Sequence, residues 1–166
     1  MFIRDNGKVC VLAMTRCGHT SMTGYFGFEP HIHSWGDWKK IWRVTQSRRI
    51  LVLRNPIHRC ISASGLLEKN IVLPEQYTKE EWFEIHSRPY LKFIPKTLPF
   101  DIIPFENLLQ YIPTHHRTIP TWTESGRHVD VVMTPELRDE YNLYRYFREY
   151  CNVISPEEWK ELTENS

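Results

Sequence analysis

Two short stretches of this chain set cations, hydroxyls and glycine where an anion could be held. The first is Thr15-Arg16-Cys17-Gly18-His19-Thr20-Ser21, which follows the apolar run Val9 to Met14 (VCVLAM) and leads into a helix expected over Thr20 to Phe28. A turn between a buried strand and a helix gathers backbone N–H groups and the positive end of the helix dipole around one point. Gly18 permits close backbone approach, Thr20 and Ser21 add hydroxyl donors, and Arg16 adds a permanent cation. The combination suits a phosphate. The alternative is a plain strand-to-helix turn in which Thr20 is only an N-cap. The stretch is not a GxxxxGK[ST] loop, because it lacks the second Gly and the Lys, and it is not GxGxxG. An ordinary ATPase or dinucleotide-dependent dehydrogenase is therefore disfavoured.

The second stretch runs Arg54-Asn55-Pro56-Ile57-His58-Arg59-Cys60-Ile61-Ser62, directly after the apolar run Arg49 to Leu53. Arg54 falls at the C-terminal end of that strand and Ser62 about two turns into the next helix. In a parallel sheet this is the edge where ligands bind, and an Arg with a hydroxyl there could clamp a second phosphate. His58 and Arg59 raise the local positive potential, although Arg59 could equally pair with a carboxylate on a neighbouring helix. Two anion sites at one sheet edge fit a ligand that carries phosphates at both ends of a nucleoside.

Together the two stretches resemble the sulfotransferases that use 3′-phosphoadenosine 5′-phosphosulfate (PAPS). The 5′-phosphosulfate loop of that family reads P-[KR]-x-G-[ST]-T after the first strand. Thr15 to Ser21 is similar to it, with Thr15 in place of the proline and His19 in place of the first hydroxyl residue. The 3′-phosphate motif reads R-[DN]-P-x-x-R-x-x-S, and Arg54 to Ser62 matches every fixed position. DIIPFENLL, from Asp101, resembles the family's strand, acidic residue and Leu before a helix. The stretch Ser125 to Tyr150 resembles its late loop and closing helix.

The resemblance implies one P-loop-like α/β domain over residues 1–166, with a mostly parallel sheet flanked by helices. It implies in-line transfer of a sulfuryl group from PAPS to a hydroxyl or amine acceptor, with 3′-phosphoadenosine 5′-phosphate (PAP) as product and no metal. Arg16 would face the bridging oxygen and the 5′-phosphate. Because Arg stays protonated, it would stabilise charge there and not donate a proton. Cys17, Gly18, His19, Thr20 and Ser21 would surround the 5′-phosphate and sulfuryl oxygens, and Arg54 and Ser62 would hold the 3′-phosphate. Gly126, Arg127 and His128 would approach the 3′-phosphate or the adenine. Relatives carry a Glu or His base after the second strand, which makes His31, His33 and Asp37 the candidates. The tyrosylprotein pattern, laid without gaps along Glu29-Pro30-His31-Ile32, puts its carboxylate at Asp37. His33 is the second choice, because imidazole titrates near the working pH. Two other readings stand beside this one: a binder that keeps the nucleotide clamp but lacks a base, and a P-loop-like nucleotide kinase.

The elements that must position these residues can be read from apolar patterning and caps. Val9 to Met14 and Arg49 to Leu53 are continuous apolar runs suited to strands buried on both faces. His31 to Trp35 is a candidate short strand, Trp38 to Val44 a helical turn, and Asp101 to Phe105 a third strand weakened by Pro104. Pro56 opens a helix to about Glu68, Thr78 with Glu81 forms a capping box ahead of a helix through His86, and Glu106 to Ile112 reads as a short helix. Pro113 to His128 reads as an irregular polar loop. Thr134-Pro135 and Ser155-Pro156 start the last two helices. Leu137, Tyr141, Tyr144, Phe147 and Cys151 recur at helical spacing, the pattern of a core-facing stripe. Of Trp35, Trp38 and Trp42, at least two are expected in the core and the rest in an acceptor pocket. Strands alternating with helices imply an α/β layered fold.

Composition narrows the partners. The 166 residues carry 21 Lys and Arg against 20 Asp and Glu. A net charge of +1 argues against a general nucleic-acid or membrane-surface binder. The N-terminal stretch has an early charge pair and no long apolar run, so neither a signal peptide nor an anchor is expected. Cys10, Cys17, Cys60 and Cys151 are far apart with no CxxC pair, which disfavours zinc and fits reduced thiols in the cytoplasm. His115-His116 is rejected as a metal pair, because adjacent residues rarely face one ligand.

Overall fold

The apolar runs assemble into a four-stranded sheet in the order β1-β2-β3-β4. The strands are β1 (Phe2–Asp5), β2 (Val9–Ala13), β3 (Arg48–Leu53) and β4 (Asp101–Pro104). The computed structural model describes residues 1–26, 35–68, 73, 75–112 and 131–164. Strands β2, β3 and β4 run parallel, with Leu12 beside Leu51 and Leu51 beside Ile102. β2 is buried along its whole length, and β3 over its last four residues, as continuous apolar runs require of central strands. β1 pairs antiparallel with β2, which makes the sheet mixed. This strand was not apparent in the sequence. It has four residues, two of them charged, and is set by a tight turn: Gly7 sits at φ 85 and Asn6 Oδ1 accepts from the N–H groups of Lys8 and Val9.

Alternation along the strands splits the interior into two cores. Val9, Val11, Ala13, Ile50, Val52 and Ile103 face one layer. It is built from α1 (His19–Phe26), the 3-10 helix Phe105–Gln110 and α6 (Pro156–Glu164). Cys10, Leu12, Leu51, Leu53 and Ile102 face the other, with α2 (Trp35–Val44) and α5 (Pro135–Tyr150). Trp38 and Trp42 of α2 are fully buried in this second core. The crossover from β3 to β4 is α3 (Pro56–Glu68), α4 (Lys79–Ser87) and the 3-10 helix Leu91–Phe93.

The caps read from the sequence at Thr78, Thr134 and Ser155 are present, whereas Thr20 lies inside α1 and does not cap it. Thr78 and Glu81 form the reciprocal capping box. Thr134 Oγ1 accepts from Leu137 N at 3.1 Å ahead of α5, and Ser155 Oγ accepts from Glu158 N at 3.1 Å ahead of α6. Two boundaries differ. Trp35 opens α2 and does not end a strand; the rest of that expected strand lies outside the described residues. Phe105 belongs to a 3-10 helix that replaces the expected helix from Glu106 to Ile112, because Pro104 ends the ladder immediately before it. Among the described residues, no helix is long and apolar enough to cross a membrane.

Candidate functional site

The loop from Thr15 to Gly18 leaves the C-terminal end of β2 in a tight turn. Cys17 N donates to Met14 O at 2.8 Å, and Gly18 O accepts from Met22 N at 3.0 Å as α1 begins. Arg16 and Gly18 both adopt left-handed backbone, at φ 63 and φ 86. For arginine this is a strained conformation, worth roughly 1–3 kcal/mol, of the kind that collects at functional sites. Gly18 lies against the second 3-10 helix, where an added Cβ would meet Leu108 Cδ2 at 2.7 Å. Ser21, in the first turn of α1, is 1% exposed, and its Oγ has no hydrogen-bond partner among the described residues. A buried hydroxyl left so costs about 1–3 kcal/mol, which a ligand oxygen or a water would offset. The first-turn N–H groups of a helix have no carbonyl one turn back to bond. The unpartnered hydroxyl therefore sits with donors that favour an anion.

Arg54 reaches this loop from the end of β3. Its Nη1 donates to Arg16 O at 2.6 Å, and its guanidinium carbon stands 4.1 Å above the Phe105 ring. Only 4% of the residue is exposed. Burial, with the charges of Arg16 and Arg59 adding to it, pulls the Arg54 guanidinium down to about 10. Burial thus disfavours the charged form of this side chain. An anion bound nearby would reverse the sign of that effect.

Arg59 does different work. Its Nε donates to Thr15 O at 2.9 Å, its Nη2 to Thr15 Oγ1 at 3.3 Å, and its Nη1 to Arg88 O at 2.5 Å. One buried guanidinium thereby fastens the loop to the end of α4. The cation also stacks 5.1 Å from the Tyr90 ring. Below it, Glu140 of α5 accepts from Tyr90 N and Leu91 N at 3.0 and 3.1 Å. Burial raises the Glu140 carboxyl, with these N–H groups and Arg59 opposing the rise.

Arg16, Gly18, Ser21 and Arg54 therefore share one edge of the sheet. His19 is half-buried and Thr20 exposed at the start of α1, with Thr20 Oγ1 3.4 Å from His19 Nε2. Cys17 is wholly buried, its thiol 3.9 Å from Tyr90 Oη and raised by burial. With its N–H already donated to Met14, Cys17 supports the turn from below. Ser62 is half-buried two turns into α3, on the flank opposite Cys60 and Ser64. Asp37 is exposed in the first turn of α2. His31, His33, Gly126, Arg127 and His128 lie outside the described residues. Among the described residues no group of three or more His, Cys, Asp or Glu could hold a metal ion. A cavity of about 650 Å³ lies between α3, α4 and the start of α5, lined by Cys60, Ser64 and Leu137 among others. It is on the flank of α3 away from Ser62.

Two participants carried no sequence signal of their role. Phe105 becomes a platform for Arg54 only once β4 is placed beside β3. Arg59, read as a source of local positive potential or as an ion-pair partner, donates to the carbonyls of Thr15 and Arg88 and to Thr15 Oγ1. Comparison with family models, curated proteins and solved structures found no match.

Proposed function

We propose that the chain is a PAPS-dependent sulfotransferase, moving a sulfuryl group to a hydroxyl or amine acceptor by in-line displacement. The observation that carries this is the convergence of Arg54 on the Arg16 carbonyl, which unites the two motif segments at one sheet edge. The segment resembling a 5′-phosphosulfate loop and the segment resembling a 3′-phosphate clamp thus stand side by side, as a donor with phosphates at both ends of its nucleoside demands. The P-loop-like sulfotransferase fold is part of the same proposal.

In this reading the α1 first turn, Ser21 Oγ and the Arg16 guanidinium stabilise charge on the 5′-phosphate oxygen as the sulfuryl group leaves. Arg54 and Ser62 hold the 3′-phosphate, with Gly126, Arg127 and His128 assigned to the same end by resemblance. Transfer of this kind depends on positioning and electrostatics.

A thermal-shift series with PAP, AMP, adenosine 5′-phosphosulfate and ATP, followed by transfer from radiolabelled PAPS, tests it. PAP is expected to stabilise most, because at equal concentration the ligand that binds the folded state more tightly raises melting further. PAP binding without transfer to any acceptor would make the chain a nucleotide binder, and a preference for ATP would make it a kinase-like protein.

A further inference from the structure

We propose that His86, at the last turn of α4, is the general base that takes the acceptor's proton through its Nε2. This role rests on the donor chemistry proposed above and goes beyond it, since no motif points to this residue.

Three observations place and prepare the imidazole. The first is its tautomer. His86 Nδ1 lies 2.7 Å from Trp82 O, and a carbonyl only accepts, so Nδ1 carries the hydrogen. In the neutral ring Nε2 then holds the lone pair, and it has no partner among the described residues. The ring also packs 4.6 Å from the Trp82 ring, which fixes its direction. The second is position. Arg59 grips Arg88 O, two residues beyond His86, and Thr15 O, the residue before Arg16, with the same guanidinium. The end of α4 is therefore held one guanidinium away from the loop that bears Arg16.

The third observation is electrostatic. The charged side chains that bear on His86 are Arg16 of the loop and Arg59 of α3, both cationic. Burial, assisted by these cations, lowers the imidazole below the ordinary histidine range, against the opposing effect of the Trp82 bond. A neutral base at neutral pH results, and the imidazolium it forms sheds its proton readily. Among the described residues, Asp37 and Glu140 fit less well. Asp37 is exposed on α2, and Glu140 is buried and committed to two backbone N–H groups.

The acceptor oxygen bonds to sulfur while its O–H bond breaks, and the proton passes to Nε2. The bond between sulfur and the 5′-phosphate oxygen opens, leaving its electron pair on that oxygen, where Arg16 stabilises it. Water then takes the proton from the imidazolium.

His86→Asn tests the role, because the Asn amide nitrogen replaces Nδ1 as a donor to Trp82 O while the base is removed. The full chain is given radiolabelled PAPS with 4-nitrophenol, 2-naphthol and water as acceptors, from pH 5 to 9. The expected result is a loss of turnover of about 100-fold or more, an unchanged PAP-induced melting shift, and disappearance of the acidic limb of the pH profile. Added imidazole should partly restore His86→Ala. Turnover within threefold of wild type, with PAP binding intact, overturns the assignment of His86 and leaves the donor reading standing. Wild-type PAP binding without transfer to any of the three acceptors overturns it too. Loss of the PAP preference over AMP in the wild type removes the donor reading itself.

Discussion

Arg54 Nη1 donates to the carbonyl oxygen of Arg16 at 2.6 Å. The bond joins two segments 38 residues apart in sequence, and the residue whose carbonyl accepts it, Arg16, has left-handed backbone. That conformation is rare outside glycine. Strain at one arginine and desolvation at the other are thus coupled through one hydrogen bond. A bound anion would stabilise both cations at once.

Replacing Arg54 with Met keeps the packing volume over Phe105 and removes the charge. PAP affinity is expected to fall by roughly 1.5–3 kcal/mol, the usual worth of a charged hydrogen bond. Adenosine 5′-phosphosulfate, which lacks the 3′ group, should lose much less. Titration calorimetry with both ligands reads the difference, and equal losses would count against a 3′-phosphate role. Without added ligand the variant should melt close to wild type, because a disfavoured buried cation leaves together with its hydrogen bond.

Arg16→Gly and Arg16→Ala separate backbone from side chain. Both remove the cation, so sulfuryl transfer should drop equally. Only Gly relieves the positive φ, so it should be the more stable variant by about 1 kcal/mol, read as a melting difference of roughly 2–4 °C. Equal melting of the two would show that the loop is not held in the left-handed region.

Gly18→Ala meets two obstacles: φ 86 and a Cβ 2.7 Å from Leu108 Cδ2. A loss of roughly 2–4 kcal/mol in urea unfolding is expected. Adding Leu108→Ala removes the overlap but not the φ. The double variant should therefore lose less than the two single losses combined, and strict additivity would show that the contact does not matter.

Much of this site was legible because its parts are local. The apolar runs of β2 and β3, the Pro56 and Pro135 helix starts and the Thr78 capping box each depend on a few neighbouring residues, and the structure contains them all. The placement of Arg54 at a strand end followed from Asn55-Pro56 breaking the run. What stayed hidden depends on residues distant in sequence. β1 has no alternation and exists because β2 offers an edge. Arg59 finds Thr15 and Arg88 only after α4 has packed on α3, and Glu140 is buried only because the Tyr90–Leu91 backbone needs acceptors there. The helical stripe of α5 placed Leu137 and Phe147 in the core, but periodicity has no means of assigning a carboxylate to it.

Glu140 gives stability an unusual pH dependence. Its carboxyl is raised by burial above its ordinary value of 4.5, so the folded state binds this proton more tightly than the unfolded chain. The contribution is then fully present below the unfolded value and is lost as pH rises through the folded one, the reverse of a salt-bridged carboxylate. Glu140→Gln keeps an oxygen for Tyr90 N and Leu91 N and cannot ionise. Near pH 4 it imitates the protonated acid, and above that its melting temperature should gain steadily on wild type until the native carboxyl has ionised. Glu140→Ala should instead be destabilised by about 2–4 kcal/mol at low pH, where it leaves two buried N–H groups without their acceptor. Melting curves of the three proteins from pH 4 to 8 decide the matter, and a Gln variant that tracks wild type at constant offset would show that Glu140 does not titrate across this range.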